Sequence, residues 1–166
     1  ALTSDDYEDM GEENLNRARK LLQRQLSLDN MPEVEIEEHI RSMPATYLLN
    51  TPREEVSLHI GYVRKAKSGT PVIDFMDERD TTFTEVTVCT LDDPTPGLLA
   101  KITAVFYACD LDVHSAQVHT RVADDDQRIA IDKFTVDFRT RQLTPGKRKE
   151  VTDYLTELLT GRITVE

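Results

Sequence analysis

Histidines, cysteines and clustered aspartates are the residues of this chain that could bind a metal. The three adjacent carboxylates of Asp124–Asp126 would point in different directions from one turn, whereas calcium needs roughly six to eight converging oxygens. We therefore expect a solvated hairpin tip there. His114 and His119 lie five residues apart on a predicted strand, so they face opposite sides and cannot share a zinc ion. With His39 and His59 in a helical segment, we interpret all four histidines as structural or surface residues and expect no metal site.

No residue pattern indicates a catalytic nucleophile. Cys89 and Cys109 fall inside apolar elements without Cys-x-x-Cys spacing, which is typical of neither a disulfide framework nor a zinc site and favours a reducing, cytoplasmic compartment. No serine lies in a Gly-x-Ser-x-Gly context. Asp132 differs, because it shares strand parity with Phe134 and Val136. We expect it to be partly buried, either capping local backbone or paired with an arginine, and with a raised pKa if it lacks donors.

The composition of the chain limits the kinds of partner that it is expected to bind. The chain has 166 residues, of which 39% are hydrophobic and 31% charged, and its net charge is −11. An acidic chain repels phosphate backbones and anionic membranes, so neither nucleic acid nor a membrane surface is an expected partner. No apolar run reaches the roughly 18 residues of a membrane helix, and no signal segment opens the chain. Together these features predict a cytoplasmic globular protein.

The stretch "TVCTLDDPTPGLLAKI" joins an alternating apolar run to a run with helical spacing. Pro94 and Pro96 fix the backbone there, and Gly97 allows another molecule to approach it closely. The amides of Gly97, Leu98 and Leu99 would then point out of a helix N-terminus, where a carboxylate binds well. The same residue types are also typical of a simple turn between strand and helix.

Hydrophobic periodicity predicts the elements that position this loop. Residues 1–70 are expected to form a helical linker, with helices from about residue 12 to 28, after Pro32, and from Pro52. Residues 71–166 are expected to form an α+β domain with an extra strand at 72–76 and a core at 82–166. That core reads as strand 83–90, helix 97–109, strand 111–122, strand 128–138, helix 145–159 and a short strand in "RITVE". This order predicts a ferredoxin-like βαββαβ fold, in which an antiparallel sheet carries both helices on one face.

Three segments in this order resemble the ACT domain family. They are "TEVTVCTLDDPTPGLLAKI", "LDVHSAQVHTR" and "IDKFTVDF", which are similar to the family's D-x-P-G-L loop, A-x-I-x-T strand and L-D-x-F-x-V strand. The pattern is most similar to the ACT repeats of the bifunctional protein-PII uridylyltransferases/uridylyl-removing enzymes. The upstream "RSMPATYLLNTPREEVSLHIGYVRKA" resembles the segment between their HD domain and first ACT repeat. The resemblance covers roughly residues 39–163.

The resemblance implies a regulatory module that binds a small amino acid, glutamine in that family, between paired ACT copies. It places the ligand between the loop of one copy and the second strand of its neighbour, at Thr95, Pro96, Gly97, Leu98, Leu99, Leu111, Asp112, Val113 and His114. The implied partners are a second ACT domain or a homodimer, and the PII protein through the full-length enzyme. This chain lacks the catalytic motifs of that enzyme, so no cofactor is expected on it and Mg²⁺ belongs to the catalytic domains.

Other functions remain open from the sequence. An ACT domain without a ligand could serve only in oligomerisation, through unpaired sheet edges. An acylphosphatase-like enzyme would need an arginine in the loop "LDDPTPGLLA", which has none. An RNA-recognition module would need exposed aromatic residues on a basic sheet, whereas this chain is acidic.

Overall fold

A computed structural model describes residues 3–92 and 97–161 of the chain. These residues form two compact units: a helical unit of the described residues within 1–61 and 121–127, and a sheet unit of those within 62–120 and 128–166. Six helices and four strands follow one another in the described part. They are α1 (Ser4–Leu28), α2 (Glu33–Ser42), α3 (Ala45–Asn50), α4 (Arg53–Lys67), β1 (Val72–Asp77), β2 (Thr84–Leu91), α5 (Leu98–Ala108), β3 (Asp112–Val122), β4 (Arg128–Asp137) and α6 (Pro145–Leu159).

In the helical unit, α1 packs against α2 and α3. Pro32 and Pro44 stand immediately before α2 and α3, where a missing amide costs no helical hydrogen bond. One prediction was wrong here, and one helix was missed. The first helix begins at Ser4 rather than near residue 12, since the acidic residues of its early turns favour a helix N-terminus. The helix α3 was not predicted, because its six residues are too few to show a helical period.

The sheet is antiparallel, with strand order β1-β2-β4-β3. Opposite Val86 of β2 lie Phe75 of β1 and Phe134 of β4. The prediction of an α+β domain with an antiparallel sheet is confirmed, and its strand and helix bounds agree with the structure to within one or two residues. The extra strand β1 pairs beside β2 at one edge, and β3 forms the other edge. The predicted last strand, in 162–166, lies outside the described residues.

One face of the sheet carries the core of this unit. The side chains of Phe106 on α5 and Phe134 on β4 are fully buried, and their rings meet edge to face with 5.0 Å between centroids. Both α5 and α6 contribute to this core. It contains Val86, Val88, Ile102, Val105, Phe106, Cys109, Leu111, Phe134, Val136, Leu143, Val151, Leu155 and Leu158. This core therefore holds α5, and the turn that follows it, on the sheet.

Candidate functional site

The N-terminal end of α5 is an exposed helix start. Gly97 adopts φ 113°, a left-handed conformation that other residues rarely adopt, and a side chain there would meet no atom of the described residues within 4 Å. Backbone conformation, and not space, therefore requires the glycine. The first hydrogen bond of the helix runs from the Lys101 amide to the Gly97 carbonyl at 2.9 Å. The amides of Leu98 and Leu99 precede it and so have no acceptor within the helix. Thr95 and Pro96 lie outside the described residues.

At its other end, α5 closes with a Schellman motif. The Leu111 amide donates to the Phe106 carbonyl at 2.9 Å, and the Asp110 amide donates to the Tyr107 carbonyl at 3.0 Å. Asp110 takes the left-handed conformation, with φ 62°, that glycine usually supplies. Leu111 is buried. The turn thereby fixes where β3 begins relative to the helix.

A shallow groove of about 550 Å³ runs between α5 and the start of β3. Its helix side has small side chains, apart from Tyr107, which is 85% exposed. The lining residues are Ala100, Thr103, Ala104, Tyr107, Leu111, Asp112 and Val113. Three of the predicted site residues, Leu111, Asp112 and Val113, thus lie together in a groove open to solvent.

His114 has different neighbours from Val113. Its Nε2 lies 2.7 Å from the Asp137 carboxylate, and its ring stacks at a tilt on Phe83, with 4.7 Å between centroids. Phe83 immediately precedes β2, and Asp137 is buried. The two contacts together hold the imidazole in place. His114 does not line the groove that holds Leu111, Asp112 and Val113.

The two halves of the predicted site lie at opposite ends of α5. Gly97, Leu98 and Leu99 are at its start, and Leu111, Asp112 and Val113 follow its end. A helix of 11 residues is about 16 Å long, several times the distance between the carboxylate and ammonium of an amino acid. One chain therefore cannot present both halves to the same small ligand.

The edge strand β3 is exposed along most of its length. Residues 112–118 all have exposed side chains, and only the last part of the strand, around Arg121, becomes buried. A long sheet edge of this kind presents unpaired backbone groups to any strand that approaches it. In this chain it runs beside the groove formed by α5.

Asp132 lies on the helix-covered face of the sheet, opposite Val88. It is 1% exposed, which confirms the burial predicted from strand parity. Burial raises its pKa from 3.8 to about 7, a hydrogen bond from the His119 backbone opposes the rise, and nearby Asp92 adds to it. Its Oδ1 atom has no hydrogen-bond partner among the residues that the structure describes. This carboxyl is poised to change protonation near neutral pH.

Sequence reasoning missed a buried cluster in the helical unit. The Tyr47 hydroxyl lies 3.0 Å from Nε2 of His39 and 2.8 Å from Nδ1 of His59, and all three side chains are buried. Because a hydroxyl has one proton, it donates to one imidazole and accepts from the other. The residue that could have indicated this cluster is Tyr47, because a buried phenol needs a hydrogen-bond partner. Among residues 3–92 and 97–161, no three His, Cys, Asp or Glu side chains are grouped so that they could hold a metal ion.

We expect Tyr47→Phe to lower the free energy of unfolding by about 1–3 kcal/mol, because it leaves buried imidazole nitrogens without the hydroxyl. Urea denaturation monitored by circular dichroism measures this difference. Tyr107→Phe removes a hydroxyl from an exposed ring and is the matched control, with a change expected below about 0.5 kcal/mol. Equal effects of the two substitutions would show that the cluster does not stabilise the unit.

Compared with models of known protein families and with curated proteins, the chain matches none. Within the described residues, no helix combines the length and the apolar character needed to cross a membrane. The arrangement around α5 and β3 is therefore the main guide to function.

Proposed function

We propose that the sheet unit is an ACT-type regulatory module that binds a small amino acid between two copies of the chain. The observation that supports this most is the separation of the predicted binding residues at the two ends of α5. Both ends are accessible, since Gly97 is exposed and Asp112 and Val113 line an open groove. Each chain would supply half of every site.

A twofold axis beside β3 would bring the halves together. In such a pair the same surface of both chains meets, and neighbouring elements run in opposite directions. The start of α5 in one chain would then lie beside the end of α5 in the other, with Leu111–Val113 next to it. The small side chains Ala100, Thr103 and Ala104 allow helices to approach closely across the axis. The exposed edges of the two β3 strands would pair with each other.

The topology is consistent with a ferredoxin-like domain. In the order β2-α5-β3-β4-α6, the sheet places β4 between β2 and β3, as a split βαβ arrangement requires. The position beside β2, which the last strand of a ferredoxin-like fold occupies, is taken here by β1. We propose that β1 completes the sheet of this ACT-type unit from the N-terminal side.

The chemistry of the two ends fits an amino acid. The amides of Leu98 and Leu99, at a helix N-terminus without acidic residues in its first turn, favour the ligand's carboxylate. The exposed Asp112 side chain and the carbonyls of the β3 edge favour its ammonium group and a side-chain amide. Following the resemblance, we propose glutamine as the ligand and a regulatory role in a protein-PII uridylyltransferase. The ligand would act by binding the paired arrangement more tightly than the unpaired one.

A purely structural ACT module is the second candidate. The exposed β3 edge and the groove beside it would favour pairing of two chains even without a ligand. The two candidates differ in whether the paired chain binds an amino acid.

Isothermal titration of the chain with each of the twenty amino acids, beside light scattering at the same concentration, tests the proposal. We expect saturable heat with glutamine and the mass of a dimer. Dimer mass without heat from any amino acid would support the structural candidate. A monomer that binds nothing would contradict both.

We expect Ala116→Lys, in the middle of the exposed β3 edge, to weaken pairing at least tenfold. Two lysines would face each other near the twofold axis, where their repulsion opposes strand pairing. Sedimentation equilibrium measures the dissociation constant of the variant. Asn14→Lys adds the same charge to an exposed position of α1 and should leave pairing unchanged. Unaltered pairing of Ala116→Lys would place the interface elsewhere.

A further inference from the structure

The strand β3 connects the proposed binding groove to the helical unit. It begins at Asp112 in the groove, and its last residues belong to the segment 121–127 that forms part of the helical unit. The strand is therefore one continuous element that runs from the groove into this segment. The contacts made by 121–127 decide what a shift of the strand would move.

Two ion pairs join this segment to α2. The Nη2 of Arg121 donates to Glu38 at 2.9 Å, and the Nη2 of Arg41 donates to Asp124 at 2.9 Å. Glu38 and Arg41 are three residues apart and thus neighbours on the helix surface. Arg121 and Asp124 are also three residues apart, with the positive residue first, whereas in α2 the negative residue comes first. Each charge therefore lies opposite one of the other sign, which specifies how the segment aligns with the helix.

The two pairs differ in burial, and only one can strongly couple the segment to α2. The Arg121 side chain is 1% exposed and that of its partner Glu38 is 26% exposed, whereas the Arg41 and Asp124 side chains are both more than half exposed. An exposed ion pair contributes little to stability. Removing one partner of a buried pair leaves an uncompensated charge and is strongly destabilising.

The buried pair also leaves donors unused. The Nε and Nη1 atoms of Arg121 have no hydrogen-bond partner among the described residues, and neither has the buried hydroxyl of Ser42, one helical turn after Glu38. Buried polar groups without partners raise the energy of the arrangement that contains them. Arg121 therefore depends on Glu38 for the side-chain hydrogen bond that it makes within the described part of the chain.

We infer that the Arg121–Glu38 contact transmits the state of the proposed amino-acid site to α2 and thus to the helical unit. The inference rests on the proposed function for its ligand, and on the burial, hydrogen bonding and position of Arg121 for its mechanism. Occupation of the groove shifts β3 along its length, and Arg121 passes the shift to Glu38. The exposed pair Arg41–Asp124 has no part in the transmission.

Hydrogen exchange measured by mass spectrometry on the whole chain tests this coupling without any ligand. In Arg121→Met, we expect at least tenfold faster exchange both in α2, residues 33–42, and in β3 as far back as residues 112–118. Arg41→Met is the matched control and should change either segment less than twofold. Faster exchange confined to 119–127, or equal effects of the two substitutions, would overturn the inference. If Arg121→Met does not fold, Glu38→Gln removes the charge with little change of shape and should give the same pattern.

A second comparison adds glutamine and separates this inference from the proposed function. In the wild type we expect glutamine to slow exchange at 97–113 and in α2. In Arg121→Met the effect at 97–113 should persist and the effect in α2 should disappear. Persistence of the α2 effect in the variant would overturn the inference. If glutamine changes nothing in the wild type, the proposed function fails, while the ligand-free comparison still decides whether Arg121 couples β3 to α2.

Discussion

Asp132→Asn is expected to stabilise the protein by about 2–4 kcal/mol at pH 8 and to have little effect at pH 4. The wild-type carboxyl is buried, and its pKa is raised from 3.8 to about 7. About three pKa units correspond to about 4 kcal/mol. The amide cannot ionise, and its oxygen can still accept the hydrogen bond from the His119 backbone. Its unpaired NH₂ group offsets part of the gain.

The direction of the pH dependence follows from proton binding. Between pH 3.8 and about 7 the unfolded chain has lost the Asp132 proton while the folded chain retains it. The Asp132 contribution to stability therefore falls as pH rises through this window and is constant above it. Urea denaturation of wild type and variant at pH 4, 6 and 8 measures the difference between their free energies of unfolding. The contributions of other groups cancel in this difference. Asp125→Asn, at the exposed hairpin tip, is the control and should show no such trend. A pH-independent difference for Asp132→Asn would contradict the assignment.

Phe106→Ala is expected to lower the free energy of unfolding by about 3–5 kcal/mol. The ring is fully buried between α5 and the sheet, and it loses its edge-to-face contact with Phe134 as well as its apolar burial. The backbone carbonyl of Phe106 accepts the hydrogen bond from the Leu111 amide that ends α5. Movement of the helix would therefore displace Leu111 and the start of β3. We expect ligand binding and pairing to be lost together with stability.

Tyr107→Ala, at the next position, is the matched control for this substitution. Its ring is 85% exposed and lines the groove. The free energy of unfolding of the variant should therefore lie within about 0.5 kcal/mol of the wild-type value, while its dimer dissociates more easily. Denaturation and sedimentation of the two variants separate core packing from the paired surface. Comparable destabilisation by both substitutions would contradict the assignment of Phe106 to the core and of Tyr107 to the surface.

Local patterns in the sequence predicted much of the sheet unit. Alternation and helical spacing located β2, α5, β4 and α6, and strand parity alone placed Asp132 in the interior. Gly97 was placed correctly at the start of the helix, but its left-handed conformation, with φ 113°, was not predicted. These features depend on residues close together in the chain.

Features that depend on distant residues were not predictable. The pairs Arg121–Glu38 and Arg41–Asp124 each join residues 83 positions apart, and nothing local marks such partners. No local pattern in residues 72–77 indicates which edge of the sheet β1 joins. The Schellman turn at Asp110 lacks the usual glycine and so gave no signal. Leu111, Asp112 and Val113 lie in one groove, as their neighbouring positions in the chain suggest, but the contacts of His114 with Asp137 and Phe83 emerge only from the folded sheet.

The central claim, that each binding site combines two chains, is tested most directly by complementation. Gly97→Val disrupts the start of α5, and Val113→Asp places a charge in the groove at the start of β3. In a homodimer of either variant both sites are defective, whereas in a mixed dimer one site has two intact halves. The measurement is isothermal titration of glutamine into each variant and into an equimolar mixture after subunit exchange.

We predict no heat from either variant alone, and wild-type affinity from the mixture with about a quarter of the wild-type number of sites, because about half of the dimers are mixed and each has one intact site. A mixture that stays silent although the wild type binds would contradict a site shared between chains. Binding by one variant alone would place the site at a single end of α5, and a wild type without heat would contradict amino-acid binding altogether.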